Sequence, residues 1–288
     1  MADTDLKRFL DAKKKQPRLT GDIERHLLTR VPEPRSTLVL HPSEIIKEDW
    51  CHRYATYLLK GGVSKKSRPN LKLQSIFDEG HFIHAKWQKW LYEMGTLYGD
   101  FKCVVCEKTT TGLSPEVCKH CKSPVLEYSE VKLIDKRLRI AGHTDGWVKD
   151  DRPDVLIEIK SIGAGTLRFE APELLYDAGG DLTKAWSNIR RPFRSHLKQG
   201  QMYLELAKRK YGTKAPKEIV FLYELKSDQS YKEFVVKADF DIVSRVFFSA
   251  EKVVKYAESE GLPPCNINPE TGCPQCLLIG VADVEIGA

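Results

Sequence analysis

The chain has 288 residues, 41% hydrophobic and 30% charged, with 46 Lys and Arg against 40 Asp and Glu for a formal net charge of +6. That length holds one sizeable α/β domain with insertions and a substantial core, and no apolar run approaches the roughly 20 residues of a membrane helix. With no signal-peptide core at the N-terminus, a reducing cytoplasm is the expected setting for its eight cysteines. The mild positive charge permits nucleic acid as a partner without demonstrating it.

Residues 1–40 read as a basic N-terminal arm, with Lys13-Lys14-Lys15 and Arg18 ahead of Pro32 and Pro34. His41-Pro42-Ser43-Glu44 leads through a helix to Asp49-Trp50-Cys51-His52-Arg53, and Lys60 to Arg68 form a basic glycine-containing loop of the makeup that contacts phosphates. Ser75 to Leu91 carry apolar or small residues at 76, 80, 83, 87 and 90, a helical stripe. His84 sits one turn after Gly80, where a missing side chain would let the imidazole reach past. Taken alone, such a histidine is more commonly a packed core residue than a ligand.

Cys103-x-x-Cys106 and Cys118-x-x-Cys121 are separated by eleven residues, the two-knuckle spacing of a tetrahedral zinc ribbon, here inserted at 101–125. Basic residues Lys102, Lys108, Lys119, His120 and Lys122 surround it. Arg139 to Gly142 and Gly146 to Val148 then read as a strand, Lys149 to Asp154 as a polar turn, and Val155 to Lys160 as a second strand with Leu156, Glu158 and Lys160 on one face. A turn centred between Asp151 and Arg152 sets Asp145 opposite Glu158. Opposed residues have Cβ atoms about 4.5 to 5.5 Å apart, so both carboxylates reach one hard cation such as Mg²⁺ or Mn²⁺. Asp154 lies about 13 Å along the strand from Glu158, too far to share it. By itself, Glu-x-Lys on a strand is more commonly a solvated hairpin face.

Residues 163–195 read as a long connection with glycines at 163, 165, 179 and 180, able to gate or thread a strand. Arg190-Arg191-Pro192-Phe193-Arg194 leads into a helix from His196 to Leu206 on which Gln199 and Tyr203 share a face. Arg190, Arg191, Arg194 and Lys198 are candidate phosphate contacts. Ile219 to Leu225 and Tyr231 to Val236 read as a hairpin extending the sheet, and Asp239 to Gly261 as an amphipathic helix ahead of Cys265, Cys273 and Cys276.

In order, Gly80-x-x-x-His84, Asp145, Glu158-x-Lys160 and Gln199-x-x-x-Tyr203 resemble the motifs of the RecB-like branch of the PD-(D/E)XK nucleases, over roughly residues 43 to 276. The resemblance implies an α/β, restriction-endonuclease-like core across 41–288, a mixed sheet flanked by helices. It implies that His84, Asp145, Glu158 and the Ile159 carbonyl bind Mg²⁺ or Mn²⁺, that Lys160 orients or activates water, and that Gln199 and Tyr203 line a DNA track. The chemistry agrees: a divalent ion neutralises developing phosphoryl charge and acidifies water, and Lys160 adds a point charge at the phosphate.

Cys51 with Cys265, Cys273 and Cys276, the last three within 262–280, is similar to the one-plus-three ligand set of a [4Fe–4S] cluster in the CRISPR-adaptation and AddB-type members, and implies such a clasp. Here the last three run Cys-x7-Cys-x2-Cys, the reverse of the family's order, which leaves a second zinc as the alternative. The implied function is a metal-dependent DNA exonuclease acting from single-stranded ends in recombination, repair or replication. Small stand-alone versions occur in phages and CRISPR systems, which implies a bacterial or phage-infected cytoplasm. The chain has no helicase motif, so an unwinding or recombination partner would be a separate protein. An endonuclease of the same superfamily and a non-catalytic nucleic-acid-binding module are the alternatives. Three charged groups on a half-buried strand argue against the second.

Overall fold

The computed structural model describes residues 18–30, 35–63 and 69–279. Lys13 to Lys15, Pro32, Pro34 and residues 64–68 of the basic loop lie outside them. The chain divides into two compact units, residues 1–35 with 65–79, and residues 36–64 with 80–288. In the first, helix α1 (Arg18–Thr29) carries an Arg25–Asp22 ion pair and leaves Leu19, Ile23 and Leu28 exposed. Asn70 Oδ1 accepts from Leu73 N at 2.9 Å and so caps the long helix that opens at Leu71.

The second unit carries the core and the chemistry. Short helices α2 (Pro42–Ile45) and α3 (His52–Leu59) precede α4 (Leu71–Glu93), whose residues from Gly80 onward belong to this unit. Strands β1 (Leu97–Cys103), β2 (Thr109–Leu113), β3 (Leu126–Tyr128), β4 (Val131–Asp135), β5 (Ile140–Thr144), β6 (Gly146–Val148) and β7 (Val155–Ile162) follow. Then come α5 (Ala164–Glu170), α6 (Pro172–Asp177), α7 (Leu182–Ser187), α8 (Arg194–Tyr211), β8 (Glu218–Leu225), β9 (Tyr231–Lys237) and α9 (Asp241–Glu258).

The main sheet is mixed, ordered β2-β1-β6-β7-β8-β9, with β3 also on β1. Among the described strands of this sheet, β7 and β8 alone run parallel, Val155 opposite Glu218 through Ile162 opposite Leu225. The segment 163–195 opens that crossover, which α8 completes before β8 begins at Glu218. It is not an open connection: α5 buries Leu167, α7 buries Ala185 and Trp186, and Ile189 and Phe193 join the core. These helices are six or seven residues long, too short for a periodic pattern to reveal.

Alternation along β7 divides the core. Leu156 and Ile162 pack with Ile219, Phe221, Met202 and Leu206 on the α8 side, while Ile157 and Ile159 pack with Ile83, Trp87 and Leu91 of α4 on the other. Helix α8 lies close because residue 200 is glycine. A Cβ there would collide with the Phe221 ring and approach Ile219 Cδ1 to 3.1 Å. Gly200→Ala would gain about 1 kcal/mol of helix propensity but overpack a core with no slack, so a net loss of about 1–2 kcal/mol is expected by urea denaturation. Unchanged stability would mean that the ring moves freely.

Residues 139–148 do not form one strand. Strand β5 pairs with β4 in a separate two-stranded sheet, whereas β6 pairs with β7 and β1, and the chain changes sheets at Asp145. Thr144 Oγ1 donates to the Ile157 carbonyl at 2.8 Å, filling a ladder position that β6 has left.

Candidate active site

Asp145 stands where two hairpins meet. The β6–β7 register, Gly146 opposite Ile157, carried one residue further sets Asp145 against Glu158. The β4–β5 register, Val131 opposite Thr144, carried one residue further sets Glu130 against the same aspartate. Beyond Gly146 the edge of β7 is open, and Asp145 Oδ2 accepts from Ile159 N there at 2.6 Å. The Ile159 carbonyl projects toward that same edge, since N–H and C=O of one strand residue share a side.

From α4, His84 Nδ1 lies 3.2 Å from Asp145 Oδ1, and Gln88 Nε2 donates to the Asp145 carbonyl at 2.9 Å. A Cβ at Gly80 would come within 3.2 Å of Ser161 Oγ, so the glycine allows the helix its approach to β7. His84, Glu130 and Asp145 bring ligand atoms within 4.8 Å of one another. Glu130 is the site residue that motif reading missed.

Glu158 is 2% exposed and its Oε2 has no hydrogen-bond partner. Its other oxygen accepts from Lys160 Nζ at 2.7 Å, and Lys160 also donates to Gln199 Oε1 at 3.0 Å. Gln199 in turn donates from Nε2 to Tyr203 OH at 2.9 Å. Gln199 and Tyr203 are 9% and 4% exposed, so they face Lys160 rather than solvent.

Burial pushes the Glu158 carboxyl up to about 7 against the pull of Lys160, and burial followed by the charge of Asp145 pushes Glu130 to about 7 as well. Burial alone would lower Lys160 and His84. The carboxylates, Glu158 foremost for Lys160 and Asp145 for His84, reverse that and hold both above their ordinary values. Asp154 is engaged elsewhere, accepting from Trp147 Nε1 at 2.9 Å and pairing with Lys149 at 3.1 Å.

Arg190, Arg191 and Arg194 are exposed and line a cleft of about 440 Å³ with Asn188, Phe193 and Leu197. Arg194 pairs with Glu48 at 3.1 Å, and Lys198 lies 3.9 Å from the same carboxylate.

The cysteines form two tetrads, Cys103, Cys106, Cys118 and Cys121, and Cys51, Cys265, Cys273 and Cys276, each with sulfurs within 4.8 Å of one another. Four converging thiols are the donor set of zinc and of iron–sulfur sites alike. The first tetrad closes the far end of β1, itself a strand of the main sheet, with Cys103 and Cys121 sulfurs 3.5 Å apart and those of Cys106 and Cys118 3.7 Å apart. Backbone amides draw one thiol of each tetrad down to about 6, Cys118 through Cys121 N–H and Cys265 through Asn268 N–H. Among the described residues no helix is long and apolar enough to cross a membrane.

A scan against protein-family models and a search of curated proteins gave no match. Among solved structures, the chain is similar to the crystal structure of SSO0001, at 13% identity and a TM-score of 0.37 over 82% of this chain and 84% of that one. It is also similar to an alkaline exonuclease, LHK-Exo, from Laribacter hongkongensis, at 13% identity and a TM-score of 0.43 over 78% and 90%. The complex of LHK-Exo with dAMP gives a TM-score of 0.42 at the same identity and coverage. What the chain has for itself is an α/β fold, a central mixed sheet flanked by helices, with a buried acid cluster at the joint of two hairpins.

Proposed function

We propose that the chain is a metal-dependent DNA nuclease of the RecB-like PD-(D/E)XK kind, an exonuclease hydrolysing phosphodiester bonds from single-stranded ends in recombination, repair or replication. The observation that carries this reading is the buried Glu158 oxygen without a partner, within reach of the charges of Asp145 and His84, which themselves converge with Glu130. A buried acceptor left bare costs about 1–3 kcal/mol, more when charged, so it signals a missing partner. Hard carboxylate oxygens with one imidazole suit Mg²⁺ or Mn²⁺, held by Asp145, Glu158, Glu130, His84 and the Ile159 carbonyl. Such an ion would offset phosphoryl charge and acidify water.

The chain's own residues do the rest. Lys160 stays charged between Glu158 and Gln199 and presents its ammonium where a phosphate would lie. Tyr203 accepts from the Gln199 amide and so fixes which end of that amide faces Lys160. Arg190, Arg191 and Arg194 offer the positive wall along which a strand would run.

The test is cleavage of end-labelled linear and circular single-stranded DNA with Mn²⁺, Mg²⁺ or EDTA, beside Glu158→Ala. Metal-dependent loss of end label from linear DNA alone, absent in the variant, is the expected result. Cutting of circles would make the enzyme an endonuclease, and a variant as active as the parent would sink the site. For the residue that motif reading missed, Glu130→Gln is expected to weaken Mn²⁺ binding at least about 10-fold by calorimetry, since it removes the charge of one of the three carboxylates among the proposed ligands. An unaltered Mn²⁺ isotherm would place Glu130 outside the metal's reach.

A further inference from the structure

The geometry points to a single tetrahedral metal ion, zinc, in the Cys51 clasp rather than the [4Fe–4S] cluster that the resemblance implies. Three sulfur separations in this tetrad are 3.4 Å (Cys51–Cys276), 3.9 Å (Cys51–Cys265) and 3.7 Å (Cys273–Cys276). Four thiolates about 2.3 Å from one ion stand about 3.8 Å apart at the corners of a tetrahedron. In a cubane each thiolate binds its own iron on the outside of the core, which spreads the sulfurs to about 6 Å. The clasp has the smaller spacing, the same as the Cys103 tetrad, whose paired Cys-x-x-Cys pattern is that of a zinc ribbon.

Contacts that involve no sulfur fix the same closeness. Asn266 bridges the segment before α3 in both directions, accepting from His52 N at 2.7 Å and donating to the Trp50 carbonyl at 3.0 Å. Gln275 does likewise, accepting from Cys51 N and donating to the Asp49 carbonyl, both at 3.3 Å. Arg53 Nη1 donates to the Pro263 carbonyl at 3.2 Å. Five hydrogen bonds therefore pin Asp49 to Arg53 against Pro263 to Gln275, and opening the sulfurs by more than 2 Å would have to break several of them.

The turn that presents the last two cysteines is equally tight. Gly272 has φ +77°, and a Cβ there would sit 3.1 Å from Cys276 Cβ. Cys51, Cys265 and Cys273 are 0%, 3% and 6% exposed and Cys276 is half-buried, so the sulfurs are largely shielded from solvent, as in structural zinc sites. The consequence is a redox-inert strap between the two ends of the second unit.

The full-length chain, purified anaerobically from cells supplied with both iron and zinc, tests this by elemental analysis, acid-labile sulfide and visible spectrum. Two zinc ions per chain, no sulfide and a colourless protein are expected, falling to one zinc in Cys51→Ser and one in Cys118→Ser. Should Cys51→Ser fail to fold, cobalt(II) titration of the unmutated apoprotein serves instead. Two equivalents should develop intense tetrahedral tetrathiolate absorption. Four iron and four sulfide per chain would overturn the proposal, and so would saturation at one zinc or one cobalt. None of these outcomes depends on whether the protein cleaves DNA.

Discussion

Replacing Lys160 by Met is expected to slow DNA cleavage by about 10²–10³-fold while the protein still folds and still binds Mn²⁺. Methionine keeps most of the volume and flexibility of the lysine stem and removes the charge. That charge is held 2.7 Å from Glu158 and 3.0 Å from Gln199, fixed in place before any substrate arrives. A preorganised cation costs no rearrangement at the moment of reaction, which is why one such group supplies so much of the rate. The fold should survive, because a buried Glu158 that loses its cation can take up a proton: its carboxyl already sits at about 7, and Lys160 was holding it down.

Single-turnover cleavage with saturating Mn²⁺ separates this from a binding defect, and thermal shift with Mn²⁺ reports the metal site. A variant that cleaves at the parental rate would remove Lys160 from the chemistry. One that no longer binds Mn²⁺ would make it a structural counterion of Glu158. Gln199→Leu should give a smaller loss, with partial activity remaining, because the amide positions Lys160 without touching a phosphate.

The centre was legible wherever strand arithmetic could be done on consecutive residues. A turn centred between Asp151 and Arg152 requires residue sums of 303 across β6 and β7, and Gly146 opposite Ile157 obeys it. The same arithmetic on Val131 to Asp135 and Ile140 to Thr144, with sums of 275, puts Glu130 on Asp145. The signal lies in Val131-Lys132-Leu133, which alternates apolar and polar residues, and it is masked when 139–148 is taken as one strand. Asp145 already has a place in the β6–β7 hairpin, and nothing in a period-two pattern says that a strand changes sheets in the middle.

Glycines carried information of the opposite kind. Gly142 lies where a Cβ would meet Pro42 at 2.9 Å and Tyr203 at 3.1 Å, three elements distant in sequence. Gly200 abuts Phe221 in the same way. Such contacts have no local signature, so the sequence could place Gln199 and Tyr203 on one helix face but not show that this face turns inward onto Lys160. The Cys103 tetrad was readable from spacing alone because its knuckles are local. The Cys51 tetrad joins residues more than two hundred positions apart, and only the fold fixes how closely they meet.

Mn²⁺ affinity is expected to rise by about 10²-fold or more between pH 5.5 and 8, while the metal-free protein loses stability over the same interval. Glu130 and Glu158 sit at about 7 in the folded chain against an ordinary 4.5, burial being the main cause in both. A carboxyl raised on folding binds a proton in the folded state that the unfolded chain has released, so its stabilising contribution is full below about 4.5 and disappears as pH climbs through 7. Between pH 5.5 and 8 one such carboxyl contributes a loss on the order of 2 kcal/mol, roughly 4–8 °C in Tm for a domain of this size.

His84, held up by Asp145, has the same sign, whereas His52 and His196, held down by burial, oppose it at the acid end. The comparison that isolates the carboxylate is therefore the parent against Glu158→Gln, which lacks one titration and keeps the histidines. The cation needs the deprotonated forms, so each proton that leaves on raising the pH strengthens its binding. Calorimetry at several pH values, with Tm measured in EDTA and in Mn²⁺, should show the two Tm curves diverging as pH rises. Glu158→Gln should flatten the metal-free curve. If parent and variant lose stability in parallel and Mn²⁺ affinity stays level, the two acids are ordinary buried carboxyls and the joint at Asp145 is not a metal centre.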